Sequence, residues 1–130
     1  MTNRPYHSTR PPAHVQPFYE VLGEADTIRF LLSFGGAVLY RTVAPAGRSK
    51  LADMFGVDVA RALAVAAEHA PARIPTAKPW IAQVWSAQGV AVNEIARRLH
   101  VSDVSVRGWL KRAVKEGVEA GDEPRQLRLI

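Results

Sequence analysis

The sequence contains no cysteine. Disulfides and thiolate metal sites are therefore excluded, and the usage fits a reducing compartment such as the cytoplasm. The four histidines, His7, His14, His69 and His100, are scattered, with neither an HExxH pair nor another ligand spacing, so no metal site is expected. No apolar run approaches the roughly 20 residues of a membrane span. The opening stretch, MTNRPYHSTRPP, lacks the apolar core of a secretion signal, so no membrane partner is expected. Gly35-Gly36 is the only glycine pair, and it lacks the lysine and following helix of a phosphate-binding loop. No grouping of nucleophile, base and oxyanion donor stands out. The chain is therefore expected to be no enzyme, with no catalytic residue, cofactor or small-molecule substrate.

Positive charge is present, and unevenly placed. Seventeen Lys and Arg face twelve Asp and Glu, a net +5 over 130 residues. Residues 1 to 70 carry seven cations against six acids, residues 71 to 115 eight against two, and the last fifteen residues two against four. The excess sits on one third of the chain. Such a region supplies the sequence-independent phosphate attraction on which base reading is superimposed.

That third contains residues 92 to 112, VNEIARRLHVSDVSVRGWLKR, around which the chain is organised. Ile95, Ala96 and Leu99 lie at helical spacing; Val101 follows in a turn, and Val106, Trp109, Leu110 and Ala113 resume the spacing. This is the pattern of two short helices meeting at a helix-turn-helix corner, with small Ala96 at the crossing. Ser102 is a good N-cap, and Asp103 opposes the dipole of the helix that follows. His100 stands where glycine is common because φ is often positive there, and histidine tolerates that better than most.

With the apolar face inward, the last helix turns Val104, Ser105, Arg107, Gly108, Lys111 and Arg112 outward, as a helix entering a DNA major groove would. Arg107, Lys111 and Ser105 are expected to read bases, and Arg98, Arg112 and Lys78 to hold phosphates. Asn93, Ser102 and Asp103 complete the expected double-stranded DNA site. Gly108 in mid-helix costs about 0.5–1 kcal/mol relative to alanine, which suggests close approach to its backbone. The duller reading is a basic solvated helix of a protein-interaction domain.

Ahead of this motif, residues 1 to 17, with four prolines, are expected to form a disordered arm, with Arg4 and Arg10 available for a minor groove. Pro17 suits the first turn of a short helix, Gly23 separates it from a longer one starting at Glu24, and Gly35-Gly36 ends that in a left-handed cap. AVLYRTV, residues 37 to 43, alternates and is expected to be a strand. The plan then repeats 33 residues on, Phe18 to Gly23 over Leu51 to Gly56, with Thr27, Phe30, Leu31 and Phe34 over Ala60, Leu63, Ala64 and Ala67. Ser49 can cap the second short helix, and Ala72 to Pro75 falls near the place of a second strand. The two units can satisfy each other within a chain or pair across a dimer. Residues 76 to 89 supply the first helix of the trihelical domain, with Ile81, Val84 and Trp85 facing its core. The last helix is expected to run to about Gly117.

The expected fold is thus mainly α: an N-terminal helix-helix-strand repeat over 18 to 75 with a small two-stranded β element, then a trihelical helix-turn-helix domain over 76 to 116. A flexible tail over 117 to 130, ending QLRLI, follows.

The order of parts resembles the Mor transcription activators of Mu-like phages, especially related proteins that double the N-terminal unit. The residues that carry the likeness are LGEADTIRFLLSFGGAVLYRTV, its echo FGVDVARALAVAAEHAPARIP, and IARRLHVSDVSVRGWLKR, within residues 18 to 114. The resemblance implies an N-terminal dimerisation region, which here takes in Ile28, Leu31, Phe34, Gly35, Gly36, Leu39 and Tyr40, and a C-terminal domain that reads DNA through Arg107 and Lys111. The second unit departs with Glu68-His69 at the place of the glycine pair, and Arg41-Thr42 replaces the isoleucine-proline that usually follows the tyrosine.

Together these features lead to the expectation of a sequence-specific regulator of phage or prophage type: a homodimeric activator in the bacterial cytoplasm, at the nucleoid, with RNA polymerase as a further candidate partner. The alternative is a DNA-packaging protein resembling a small terminase subunit, whose DNA-binding domains use the same corner in larger rings.

Overall fold

The computed structural model describes residues 10 to 119, with side chains as far as Lys115. Its helices are α1 (Gln16–Phe34), α2 (Leu39–Val43), α3 (Pro45–Phe55), α4 (Val57–Ala66), α5 (Lys78–Ala87), α6 (Val92–Leu99) and α7 (Asp103–Glu119), with a 3-10 turn at Ala67–His69. They fall into two compact units, Pro11–Ala77 and the chain from Lys78 onward.

In the N-terminal unit the repeat is visible in the backbone. Gly23 kinks α1 at φ 78° and ψ 176°, and Gly56, 33 residues on, separates α3 from α4 at φ 98° and ψ 158°. A side chain rarely adopts either pair, so glycine is needed at both bends. The kink lets the two arms of α1 fold together, and the Phe18 and Phe30 rings meet at 5.2 Å. The repeat partners of these rings, Leu51 and Leu63, are also fully buried, as are Thr27 and its partner Ala60. The two copies satisfy each other within one chain: α1 and α2 both pack on α4. Gly35, at φ −53°, is not the left-handed residue after α1; Gly36 is, at φ 90°.

The segment 37 to 43 is a correction to the sequence reading. No strand or sheet forms among the described residues; Val38 alone pairs, in one antiparallel bridge with Arg73. Leu39 donates to the Ala72 carbonyl at 2.9 Å and Ile74 to the Ala37 carbonyl at 2.9 Å, and the pairing ends there because α2 begins. The reason lies in which side chains the core accepts. A strand would put Arg41 on the same face as Leu39 and Val43. The helix instead buries Leu39, Thr42 and Val43, at helical spacing, and leaves Tyr40 and Arg41 outside. Thr42 Oγ1 donates back to the Val38 carbonyl at 3.1 Å, satisfying the hydroxyl.

Two smaller expectations also change. The packed chain begins earlier than the expected arm allows: Pro11 and Val15 are buried, and Val15 donates to the Pro12 carbonyl at 2.9 Å. Residues 1 to 9 of that arm lie outside the described residues. Ser49 sits inside α3, where its hydroxyl donates to the Ala46 carbonyl, and Pro45 opens the helix.

The C-terminal unit packs α5 on α6 and α7 and buries Ile81 and Val84, Ile95 and Leu99, and Val106; Trp80 of α5 is buried as well. Both of its corners are cut by the same device. After α5, Gly89 at φ 93° donates to Ser86 and Val90 to Trp85; after α6, His100 at φ 58° and ψ 45° donates to Arg97 and Val101 to Ala96. Each pair of bonds closes a Schellman cap, which satisfies end carbonyls and turns the chain. α7 runs to Glu119, past the end expected near Gly117. The remainder of the expected tail lies outside the described residues.

Candidate nucleic-acid interface

The corner between α6 and α7 is held by three local interactions that follow from the sequence. His100 supplies the left-handed cap just described. Ser102 then caps α7, its Oγ accepting from the Ser105 amide at 3.1 Å. Ala96, 7% exposed, leaves room for the crossing.

The outward face of α7 follows from the buried one. Val106 and Ala113 are buried while Trp109 and Leu110 are half-buried. At 3.6 residues per turn, the opposite side carries Val104, Gly108, Lys111 and Lys115, with Arg107 and Arg112 on its two flanks. Val104 is 70% exposed, an apolar side chain standing among cations. At Gly108 an added Cβ would meet only the Arg112 guanidinium, at 3.8 Å, so no contact among the described residues demands glycine. Asp103 is the one acid near this face among the residues whose side chains are described, and its carboxylate accepts from Arg107 Nη1 at 2.9 Å.

The expected phosphate contacts come from three helices. Lys78 opens α5 and is half-buried, and Asn93 lies exposed in the first turn of α6. Arg98 is not a free cation: its guanidinium lies 5.1 Å from the Trp85 ring centre, and its Nε donates to Glu94 at 3.0 Å. Glu94 also accepts from Arg97. The Arg97 hydrogen bond, and then that of Arg98, hold the Glu94 carboxyl below its usual range, and Glu94 in turn raises Arg97.

Two residues of this surface, Lys115 and Arg97, were not singled out in the sequence, and Trp85 was expected only in the core. Lys115 continues the four-residue spacing of Arg107 and Lys111, a signal that was readable. Arg97, adjacent to Arg98, is exposed on α6. Trp85 fixes Arg98, a pairing between helices that no local spacing announces.

The residues that the resemblance assigned to dimerisation are divided by burial. Ile28, Leu31 and Leu39 are 5%, 2% and 3% exposed, occupied by the core of their own unit. Tyr40 is 67% exposed beside a shallow, mainly apolar cleft of about 490 Å3 lined in part by Val43, Ala64 and Ala67. Gly35 and Gly36 are exposed and Phe34 half-buried. Among the described residues no group of three or more potential metal ligands gathers, and no helix is long and apolar enough to cross a membrane.

Compared with known proteins, the chain matches no family model, no curated protein and no solved structure.

Proposed function

We propose that this chain is a sequence-specific DNA-binding regulator of phage or prophage type that inserts α7 into the major groove and works by binding, not catalysis. The observation that carries the reading is the outward face of α7. It joins Val104, Lys111 and Lys115 with Arg107 and Arg112 around a glycine, and the one neighbouring acid among the described side chains, Asp103, is already paired. Lysine and arginine supply phosphate attraction and guanine contacts, and an exposed valine suits a thymine methyl. Arg97 and Arg98 share the one Glu94 carboxylate and so leave a net positive charge on α6. Activation, a homodimer, contact with RNA polymerase and a cytoplasmic, nucleoid-associated location belong to the same proposal.

Selection of duplexes from a random pool by the full chain tests it, with binding of the enriched sequence followed by anisotropy over a salt series. The expected result is one enriched motif and affinity that falls with salt in proportion to the phosphates contacted. Arg107→Ala should cost about 1–3 kcal/mol and relax one base position, while Arg112→Ala weakens all sequences alike. Mass measured on the same sample should correspond to a dimer. A ring of about eight or more subunits would instead favour a packaging protein.

A further inference from the structure

Asp103 is out of place on a surface built only to attract phosphate. Its side chain is 46% exposed, one helical step from Val104, and it lowers the positive charge of the proposed groove face. Nor is it required as the cap of α7, since the Ser102 hydroxyl already accepts the Ser105 amide. Beyond facing the helix dipole from the first turn, its carboxylate holds Arg107, four residues on, through Nη1 at 2.9 Å.

We propose that Asp103 is a positioning residue for base preference, holding the Arg107 guanidinium so that it selects guanine over the other bases. This rests on the DNA-reading role of α7. Guanine is recognised by two parallel hydrogen bonds to O6 and N7, which need a planar pair of donors at a fixed angle. Arg107 has such a fork. With Nη1 taken by Asp103, Nη2 and Nε remain as a two-donor edge, and the long side chain is restrained before it meets the base. The carboxylate itself repels the O6 and N7 acceptors of a guanine at a neighbouring position and favours a cytosine or adenine amino group there. The selected site should therefore contain a guanine under Arg107, with thymine tolerated or preferred beside Val104.

The test uses the full chain, the duplex enriched by the wild-type protein and its complete set of single-base variants, with wild type, Asp103→Asn, Asp103→Ala and Arg107→Lys compared. Both Asp103 variants should still bind, with guanine preference at one position reduced about tenfold and the other positions unmoved. Their salt dependence should steepen by about one phosphate contact, because the released arginine is free to meet the backbone. Arg107→Lys should lose preference at that same position, since a lysine lacks the fork. An unchanged base profile with uniformly tighter binding would mean that the pair only decorates the helix, and the positioning role would be lost while DNA reading stood. A wild-type chain with no preference for any duplex would overturn both.

Discussion

Arg98 is stacked on Trp85, its guanidinium 5.1 Å from the ring centre, while its Nε is bonded to Glu94. A cation of the proposed DNA face thus also ties α5 to α6. An exposed contact of this kind contributes about 0.5–1 kcal/mol. Arg98→Lys keeps the charge and loses the planar stack, and should lower the stability of the chain by about that amount in urea unfolding followed by circular dichroism. In a double-mutant cycle with Trp85→Ala, the coupling should be of the same size; strictly additive losses would show that the stack contributes nothing.

Glu94 gives this corner a pH dependence of known sign. Its carboxyl is held low first by Arg97 and then by Arg98, so the folded state binds a proton less readily than the unfolded chain. The stabilisation is present above the unfolded value and is lost as pH falls through the lowered, folded one. Glu94→Gln should lower stability most at neutral pH and least in acid, so that the acid limb flattens. Unfolding curves collected from neutral to acid pH, with identical slopes for both proteins, would contradict this.

Gly47 is fixed by proximity. An added Cβ would fall 2.5 Å from the Thr42 carbonyl oxygen and closer still to that of Arg41, both backbone atoms that cannot swing away. Gly47→Ala must push α3 off α2, and overpacking of this kind typically costs about 1–3 kcal/mol. The N-terminal unit should melt earlier, whereas Gly23→Ala would act through backbone strain, since nothing stands near its missing side chain.

His100 holds a left-handed conformation at φ 58°. For a residue with a side chain this costs about 1–2 kcal/mol. His100→Gly removes that strain and adds unfolded-state entropy of about 0.5–1 kcal/mol, for a small net gain in stability. His100→Val should go the other way, because branching at Cβ tolerates positive φ least. Thermal melts of the two variants should therefore move in opposite directions.

Gly108 separates stability from binding. Since an added Cβ meets only the end of Arg112, Gly108→Ala should stabilise the free chain by about 0.5–1 kcal/mol through helix propensity. If a duplex approaches the backbone of α7 there, the same change should weaken binding of the enriched sequence. A variant both more stable and equally tight would place Gly108 outside the contact.

Helices α6 and α7 and the corner between them were legible because their signals are local. Ile95, Ala96, Leu99 and Val106 have one spacing that buries them all, Ser102 caps within three residues, and the demand for positive φ at His100 follows from where the helices must part. The 33-residue repeat was legible for the same reason, through Gly23 and Gly56. The Arg98 stack was not, because Trp85 lies on another helix and nothing in the spacing of either residue predicts that they meet.

Residues 37 to 43 show where local pattern stops. Seven residues of AVLYRTV satisfy a two-residue period and a helical one about equally, and β-branched side chains favour the first reading. What decided between them was the neighbouring core, which accepts Leu39, Thr42 and Val43 together and has no place for Arg41. Sequence by itself determined the kink at Gly23, the break at Gly56 and the Ser102 cap, because glycine and serine act over three or four residues. Only the tertiary structure decided the state of this ambiguous run, the occupation of Ile28, Leu31 and Leu39 by their own unit, and the pairing of the two repeats within one chain. Those outcomes depend on side chains far apart in sequence and on which face each can afford to bury.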